Sequence, residues 1–177
     1  SGTDAEGVIS KYKQCLDITY LFTKKRGQIT QRNIGIKLAL GSGVDYVGFL
    51  DDDVIIEADG FNEIERFITD RRDQGEIDFG LGFNVIEEET DSAYGWKDRI
   101  KQVLEVVGSQ PGSITKAGFT EGFSNLSENI QTGWLTGGAT IWSRNILKEF
   151  PQKSLVTSYA GGEDLRHRRP IGKRYPL

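Results

Sequence analysis

The sequence predicts a layered α/β fold, and three observations carry that prediction. Apolar positions at helical spacing alternate along the chain with short β-branched and aromatic runs. One such run, Tyr46-Val47-Gly48-Phe49-Leu50, passes directly into three consecutive carboxylates, Asp51-Asp52-Asp53. The composition, 37% hydrophobic and 27% charged over 177 residues, is that of one globular domain with a proper core.

Ser1 to Asp4 reads as a polar turn. Val8, Ile9, Tyr12, Cys15 and Leu16 recur at helical spacing and predict a helix over Ala5 to Leu16. Ile18 to Phe22 is β-branched and aromatic, hence a strand, and Lys24-Lys25-Arg26-Gly27 a basic loop. A second helix is expected over Ile29 to Leu40, with Gly41 and Gly43 as stop signals, and the strand delivering the acidic triplet comes next. Phe61, Ile64, Phe67 and Ile68 mark a third helix ending near Arg72. Asp78 to Ile86 predicts a strand, Glu87 to Asp91 an acidic turn, and Ile100, Val103, Leu104 and Val107 a helix over 98 to 107. Ser109 to Asn129, rich in Gly, Ser, Asn and Thr, lacks periodicity and has the length usual for a functional or mobile loop. Gly133 to Trp142 predicts a turn leading into a strand, with Ser143 capping a short helix that stops before Pro151. The tail carries Glu163-Asp164, then Arg166, His167, Arg168, Arg169, Lys173 and Arg174. An opening on a turn and helix, and a close at Tyr175-Pro176-Leu177 as though a strand were beginning, predict a single domain over 1–177 that is a fragment cut at both ends.

Composition also excludes mechanisms. A net charge of -4 gives no case for nucleic-acid binding as the main activity. No run of about 18 apolar residues spans a membrane, and no signal-peptide pattern opens the chain. With Cys15 the only cysteine, an internal disulfide framework and a thiolate zinc cluster are excluded, and a reducing, cytoplasmic setting is the default. With His167 the only histidine, a Ser-His-Asp triad or multi-histidine metal site would depend on it alone.

The chemistry is expected at the end of the Tyr46–Leu50 run. A buried strand in an open α/β sheet delivers the residues at its carboxyl end to the crevice where ligands bind. Three neighbouring carboxylates repel one another, so protonation, water or a bound cation must offset the repulsion. A hard divalent ion takes oxygen ligands and shares its shell with substrate phosphates. The plain alternative is a solvated acidic turn. Arg32, in Gln31-Arg32-Asn33-Ile34-Gly35, could hold a phosphate or base edge by its planar fork of donors, or be only a solvated helix charge. Trp134-Leu135-Thr136-Gly137-Gly138-Ala139 suits close approach of backbone to a flat ligand, or tight packing at a strand edge. Glu163-Asp164, after Gly161-Gly162, can supply a general base and a carboxylate that orients it, or an acidic helix N-terminus.

In order and approximate spacing, Arg32-Asn33-x-Gly35, Phe49-Leu50-Asp51-Asp52-Asp53, Trp134-Leu135-x-Gly137-Gly138 and Gly162-Glu163-Asp164 resemble the family 2 glycosyltransferases of GT-A fold, and look like bacterial members that build surface polysaccharides. The tail Ile171-Gly172-Lys173-Arg174-Tyr175-Pro176-Leu177 is similar to the stretch after the Glu-Asp motif in them, so the resemblance covers nearly the whole chain. It implies a Rossmann-like three-layer fold with a mixed, mainly parallel central sheet, here lacking the first strand–helix unit and with it half the donor pocket; the fragment by itself is then not expected to be active. It further implies a UDP- or GDP-sugar donor, a glycan or lipid-linked acceptor, Mn²⁺ or Mg²⁺, and an inverting single displacement. Carried over residue by residue, Asp53 would ligate the metal, while Asp51 and Asp52 would reach the ribose or share the metal through water. Arg32 matches an arginine near the base and diphosphate, Asp164 the catalytic base with Glu163 beside it, and Trp134, Gly137 and Gly138 the acceptor-side wall. The protein is expected in the cytoplasm, at most peripheral at the inner face of the membrane.

Three other readings fit less well, and a fourth is more serious given the expected truncation. A haloacid-dehalogenase-type phosphatase also ends an apolar strand in Asp-x-Asp, but Asp53-Val54-Ile55 matches it poorly. A P-loop NTPase needs G-x-x-x-x-G-K-[ST], which the chain lacks. An EF-hand starting at Asp51 would have Ile55 and Ile56 where an oxygen ligand and the turn glycine belong. A non-catalytic nucleotide-sugar-binding fragment is the fourth.

Overall fold

Ala139–Ser143 is the strand on which the sheet is built, because both other strands among the described residues pair with it. The structure, a computed structural model, describes residues 5–24, 27–84, 86, 110–114, 120, 122, 126–152 and 170–177. In chain order the strands are β1 (Tyr46–Leu50), β2 (Gly80–Gly82) and β3 (Ala139–Ser143). The helices are α1 (Ala5–Tyr12), α2 (Gln28–Gly41), α3 (Gly60–Asp73) and α4 (Arg144–Glu149). The sheet order is β1-β3-β2, with both ladders antiparallel, so β1 and β2 run the same way on either side of β3. The mixed α/β character is as predicted. The mainly parallel pairing is not found among the described strands.

Trp142 organises the packing. It stands opposite Val47 in β1 and Gly80 in β2, and its buried indole Nε1 donates to Thr140 Oγ1 at 3.0 Å. The ring needs the space a side chain at position 80 would fill. A Cβ on Gly80 would lie 2.7 Å from Trp142 Cζ3 and 2.8 Å from Leu177 Cδ2. With Trp142, residues Ile36, Val47, Leu135, Ile146, Leu147, Ile171 and Leu177 form one buried cluster. Each large aliphatic chain sealed there stabilises by about 1.5–3 kcal/mol. The cluster ties α2, β1, β3, α4 and the last residues of the chain together. Those last residues also cover β2: Gly80 N–H donates to Pro176 O at 3.1 Å and Thr132 N–H to Leu177 O at 3.0 Å.

The α2 helix matches its prediction closely. It stops at Ser42, and Gly43 then takes the left-handed backbone, φ +86°, that ends helices without a Cβ penalty. Arg144 Nη2 donates to Leu40 O at that end, where a cation suits the orphan carbonyls.

Elsewhere the structure corrects the predictions. Ile18 to Phe22 is not a strand: it joins no ladder among the described residues, and Leu21 and Phe22 are exposed. Its composition favours a pleated, half-buried surface, and without a partner strand that preference has nothing to act on. The first helix is shorter than predicted and buries no residue, although its apolar spacing reads as a core face. The strand expected over Asp78 to Ile86 narrows to β2. One further ladder bond, Phe83 N–H to Ala139 O, precedes Asn84, whose side-chain amide bonds both backbone groups of Leu126 and so draws the chain out of the sheet. Ser143 stands at the N-cap of α4 without capping it, its hydroxyl buried and unbonded. The predicted 98–107 helix and the predicted 87–91 turn lie outside the described residues.

Candidate functional site

Three of the four sequence motifs meet where β1 ends. The β1–β3 ladder continues one step past the strand, Asp51 N–H donating to Gly138 O at 2.7 Å. From α2, Arg32 reaches the same place. Its Nη2 donates to Asp51 Oδ1 at 3.1 Å and to Gly137 O at 3.0 Å, and its guanidinium carbon sits 6.0 Å from the centre of the Phe49 ring. The Arg32 side chain is 10% exposed and that of Asp51 40%. The guanidinium is sheltered while the carboxylate is part exposed, so the charge-assisted bond is partly screened, and removing Asp51 would leave a sheltered positive charge without this partner. Gly138 suits the closeness of this arrangement: a Cβ there would lie 3.0 Å from Asp51 Oδ2, and the carboxylate would have to shift to admit it.

Asp52 and Asp53 come next in an exposed turn closed by a long Val54 N–H to Asp51 O contact of 3.4 Å, and Ile55 beyond it is 96% exposed. Among the described residues no three His, Cys, Asp or Glu side chains gather as a metal cage. The donor set nevertheless suits a hard divalent ion. Carboxylate oxygens are its preferred ligands, and Mg²⁺-type sites commonly use one or two of them plus waters and substrate phosphates.

The Trp134-to-Gly138 segment is split between core and site. Leu135 is buried, Trp134 packs against the core cluster, and the Trp134 carbonyl accepts from Thr132 Oγ1 at 2.6 Å. Trp134 is therefore at least partly a packing residue, while Gly137 and Gly138 touch the Arg32–Asp51 pair directly. Asn33, next to Arg32 on α2, donates to Gln152 O at 2.9 Å. The motif Arg32-Asn33 thus binds the acidic turn with one side chain and the segment after α4 with the other. Glu163 and Asp164 lie outside the described residues.

Sequence reasoning missed three participants. Phe49 lies beneath the guanidinium, a position that its alternation with Val47 and Asp51 along the strand could have suggested. The Thr136 hydroxyl is buried without a hydrogen-bond partner, and its place between Leu135 and Gly137 was the only signal. Gln152 enters through its backbone carbonyl, which no side-chain pattern announces.

Two adjoining clefts lie elsewhere, between α3 and β2, sharing Phe67, Leu81, Gly82, Phe83, Asn84 and Asn129. None of Arg32, Asp51, Gly137 and Gly138 lines them. Concavity and chemistry therefore point to different places. Charged side chains line both clefts too, Arg71 and Glu128 in one and Glu63, Arg66 and Asp70 in the other, but three separate sequence motifs converge at the acidic turn, which is retained as the candidate.

No helix among the described residues is long and apolar enough to cross a membrane. No curated protein and no solved structure matches the chain. The family model described as glycosyl transferase family 2 matches residues 3–149. That span contains Arg32, the acidic triplet and Trp134 to Gly138, and it ends before Glu163-Asp164.

Proposed function

We propose, from the premise that this chain belongs to glycosyl transferase family 2, that it moves a sugar from a UDP- or GDP-sugar to a hydroxyl of a glycan or lipid-linked acceptor, with a divalent cation and with inversion at the anomeric carbon. The observation that supports this most is the junction of Arg32, Asp51, Gly137 and Gly138, because it brings three separate motifs to the lip of the sheet where α/β folds bind nucleotides.

The roles derive from the charge that develops. Breaking the sugar–phosphate bond leaves positive charge on the anomeric carbon and negative charge on the departing diphosphate. Asp53, with Asp52 beside it, supplies exposed carboxylate oxygens that would hold Mn²⁺ or Mg²⁺. Such an ion, when bound, stabilises the leaving charge as a Lewis acid and orients the donor. Gly137 and Gly138 keep the neighbouring backbone free of side chains, so the acceptor side can approach closely. Asp164, with Glu163 beside it, takes the proton of the acceptor hydroxyl as that oxygen attacks the face opposite the diphosphate, and inversion results. General-base help of this kind contributes typically ~10²–10⁴-fold.

A panel of nucleotide sugars monitored by thermal unfolding, with and without Mn²⁺, tests the reading. Metal-dependent stabilisation by UDP- or GDP-sugars is expected. Stabilisation by Ca²⁺ alone, or by no nucleotide, would count against it. Asp164→Asn is expected to leave donor binding in place and to slow transfer by about 10²–10⁴-fold; an unchanged transfer rate removes Asp164 from the base role.

A further inference from the structure

We infer that Arg32 is a positioning residue for the acidic turn, with Asp51 as its partner in that task. The inference deepens the donor-site reading above and rests on it.

Two of the five guanidinium N–H groups, both on Nη2, carry the point. Nη2 of a guanidinium bears two N–H bonds. In this protein one is directed to Asp51 Oδ1 and the other to Gly137 O, at 3.1 and 3.0 Å. A phosphate oxygen could use that nitrogen only by displacing a carboxylate or a backbone carbonyl. The Arg32 side chain is nine-tenths buried, with Phe49 on one side and the Gly137 carbonyl at its tip. Its placement serves the protein's own turn.

Asp51 is held from three directions. Its Oδ1 accepts from Arg32, its N–H donates to Gly138 O, and its Oδ2 lies so near Gly138 that a Cβ there would be 3.0 Å away. Asp52 and Asp53 are exposed in the turn that begins immediately after this anchor. Three adjacent carboxylates raise one another's energy, and a fixed cation beside the first offsets part of that repulsion. The triplet is thereby divided. Asp51 ties the turn to β3 through Arg32 and Gly138, and Asp52 and Asp53 are presented to the ligand. Preorganisation of this kind, with the supporting shell locking residues that meet the ligand, is a requirement of any precise site.

A double-mutant cycle on Mn²⁺-dependent binding of UDP and of GDP separates positioning from direct contact, using Arg32→Met, Asp51→Asn, the double variant, and Asp53→Asn as a separate lesion. Amide hydrogen exchange over residues 51–54 is measured on the same proteins, with Arg66→Met, which removes a surface guanidinium on α3, as control. Positioning predicts that each single change at 32 or 51 weakens nucleotide binding about tenfold and that the double variant is no more than about twofold worse, since one bridge is broken only once. It also predicts about tenfold faster exchange at 51–54 in Arg32→Met beyond any loss of global stability read from the other amides, with Arg66→Met like the wild type. Additive binding losses assign Arg32 to the ligand and overturn the inference; so does unchanged exchange. Should the wild type bind neither nucleotide, the donor-site reading falls by itself, and the exchange result still decides whether Arg32 positions the turn. Arg32→Lys carries the same comparison if Arg32→Met does not fold, with partial retention of both signals expected from an ammonium that keeps only part of the fork geometry.

Discussion

The two ends of β1 live in opposite surroundings. At Val47 the strand faces Trp142, which is 1% exposed, inside a cluster that reaches Ile171 and Leu177 at the far end of the chain. Beyond Leu50, at Asp51, the same strand ends on a charged pair, and Asp52, Asp53 and Ile55 stand exposed. One short strand therefore links a sealed part of the described structure to an open one. The difference teaches how this chain divides its work. Packing against Trp142 fixes the strand's direction and register, and the turn beyond inherits that precision without having to be buried itself.

The sharpest way to break this comparison is at the sealed end. Trp142→Ala should destabilise by about 3–5 kcal/mol, because it empties the space between Val47 and Gly80 and leaves Thr140 Oγ1 without its indole donor. A denaturant midpoint shift equivalent to less than about 1 kcal/mol would mean that the cluster does not govern the sheet. Gly80→Ala approaches the same space from the other strand. Its added methyl would lie 2.7 Å from Trp142 Cζ3 and 2.8 Å from Leu177 Cδ2, so a loss of about 1–3 kcal/mol from overpacking is expected in the same measurement.

These two residues also show how much of the fold is legible in the sequence. Gly133 to Trp142 reads as a turn leading into a strand because β-branched and aromatic residues come after a glycine turn, and the strand is there, over Ala139–Ser143. The acidic turn, α2 and α3 are equally visible, each from a pattern spanning a few neighbouring residues. Gly80 reads only as part of a strand, since its need to lack a side chain comes from the indole of Trp142, far along the chain. The same limit explains Arg32. The sequence pattern offers its guanidinium to a phosphate or a base edge, or leaves it a solvated helix charge, and gives no sign of its bonds to Asp51 and Gly137, contacts of sequence separation 19 and 105 that no local pattern encodes. Ile18 to Phe22 fails for the complementary reason: its local preference for a strand is clear, but a strand exists only with a neighbour to bond.

The open end of β1 should respond in the opposite manner. Asp53→Asn removes a charge from an exposed turn, so unfolding free energy should move by no more than about 0.5 kcal/mol. Under the proposed function it should nevertheless abolish the extra thermal stabilisation that Mn²⁺ gives with UDP or GDP. A stability loss comparable to that of Gly80→Ala would show that the turn is part of the packed structure after all, and the contrast between the two ends of the strand would be lost.

The smallest expected effect lies at the first residue of β1 and sharpens the comparison through pH. Tyr46 donates its hydroxyl to Ile77 O at 3.1 Å and rests 5.4 Å, centre to centre, from the Phe79 ring. Burial pushes its phenol above the ordinary tyrosine value, and Asp45 and Asp78 push in the same direction, against the pull of Arg72. The sign comes from proton counting. With the folded pKa raised, the unfolded chain releases this proton first as pH climbs past about 10, so the folded state loses stability through that interval. Below it the contribution is fully present. Tyr46→Phe should therefore cost about half a kcal/mol or less near neutrality, since the hydrogen bond is partly solvated, and the gap between variant and wild type should close as pH rises through and beyond about 10. Urea midpoints of the two proteins taken from about pH 7 to about pH 11, spanning the tyrosine range, would show this. A gap that stays constant or widens would mean that the strand's first residue is not desolvated by Phe79 and its neighbours, and that the sealed environment begins only at Val47.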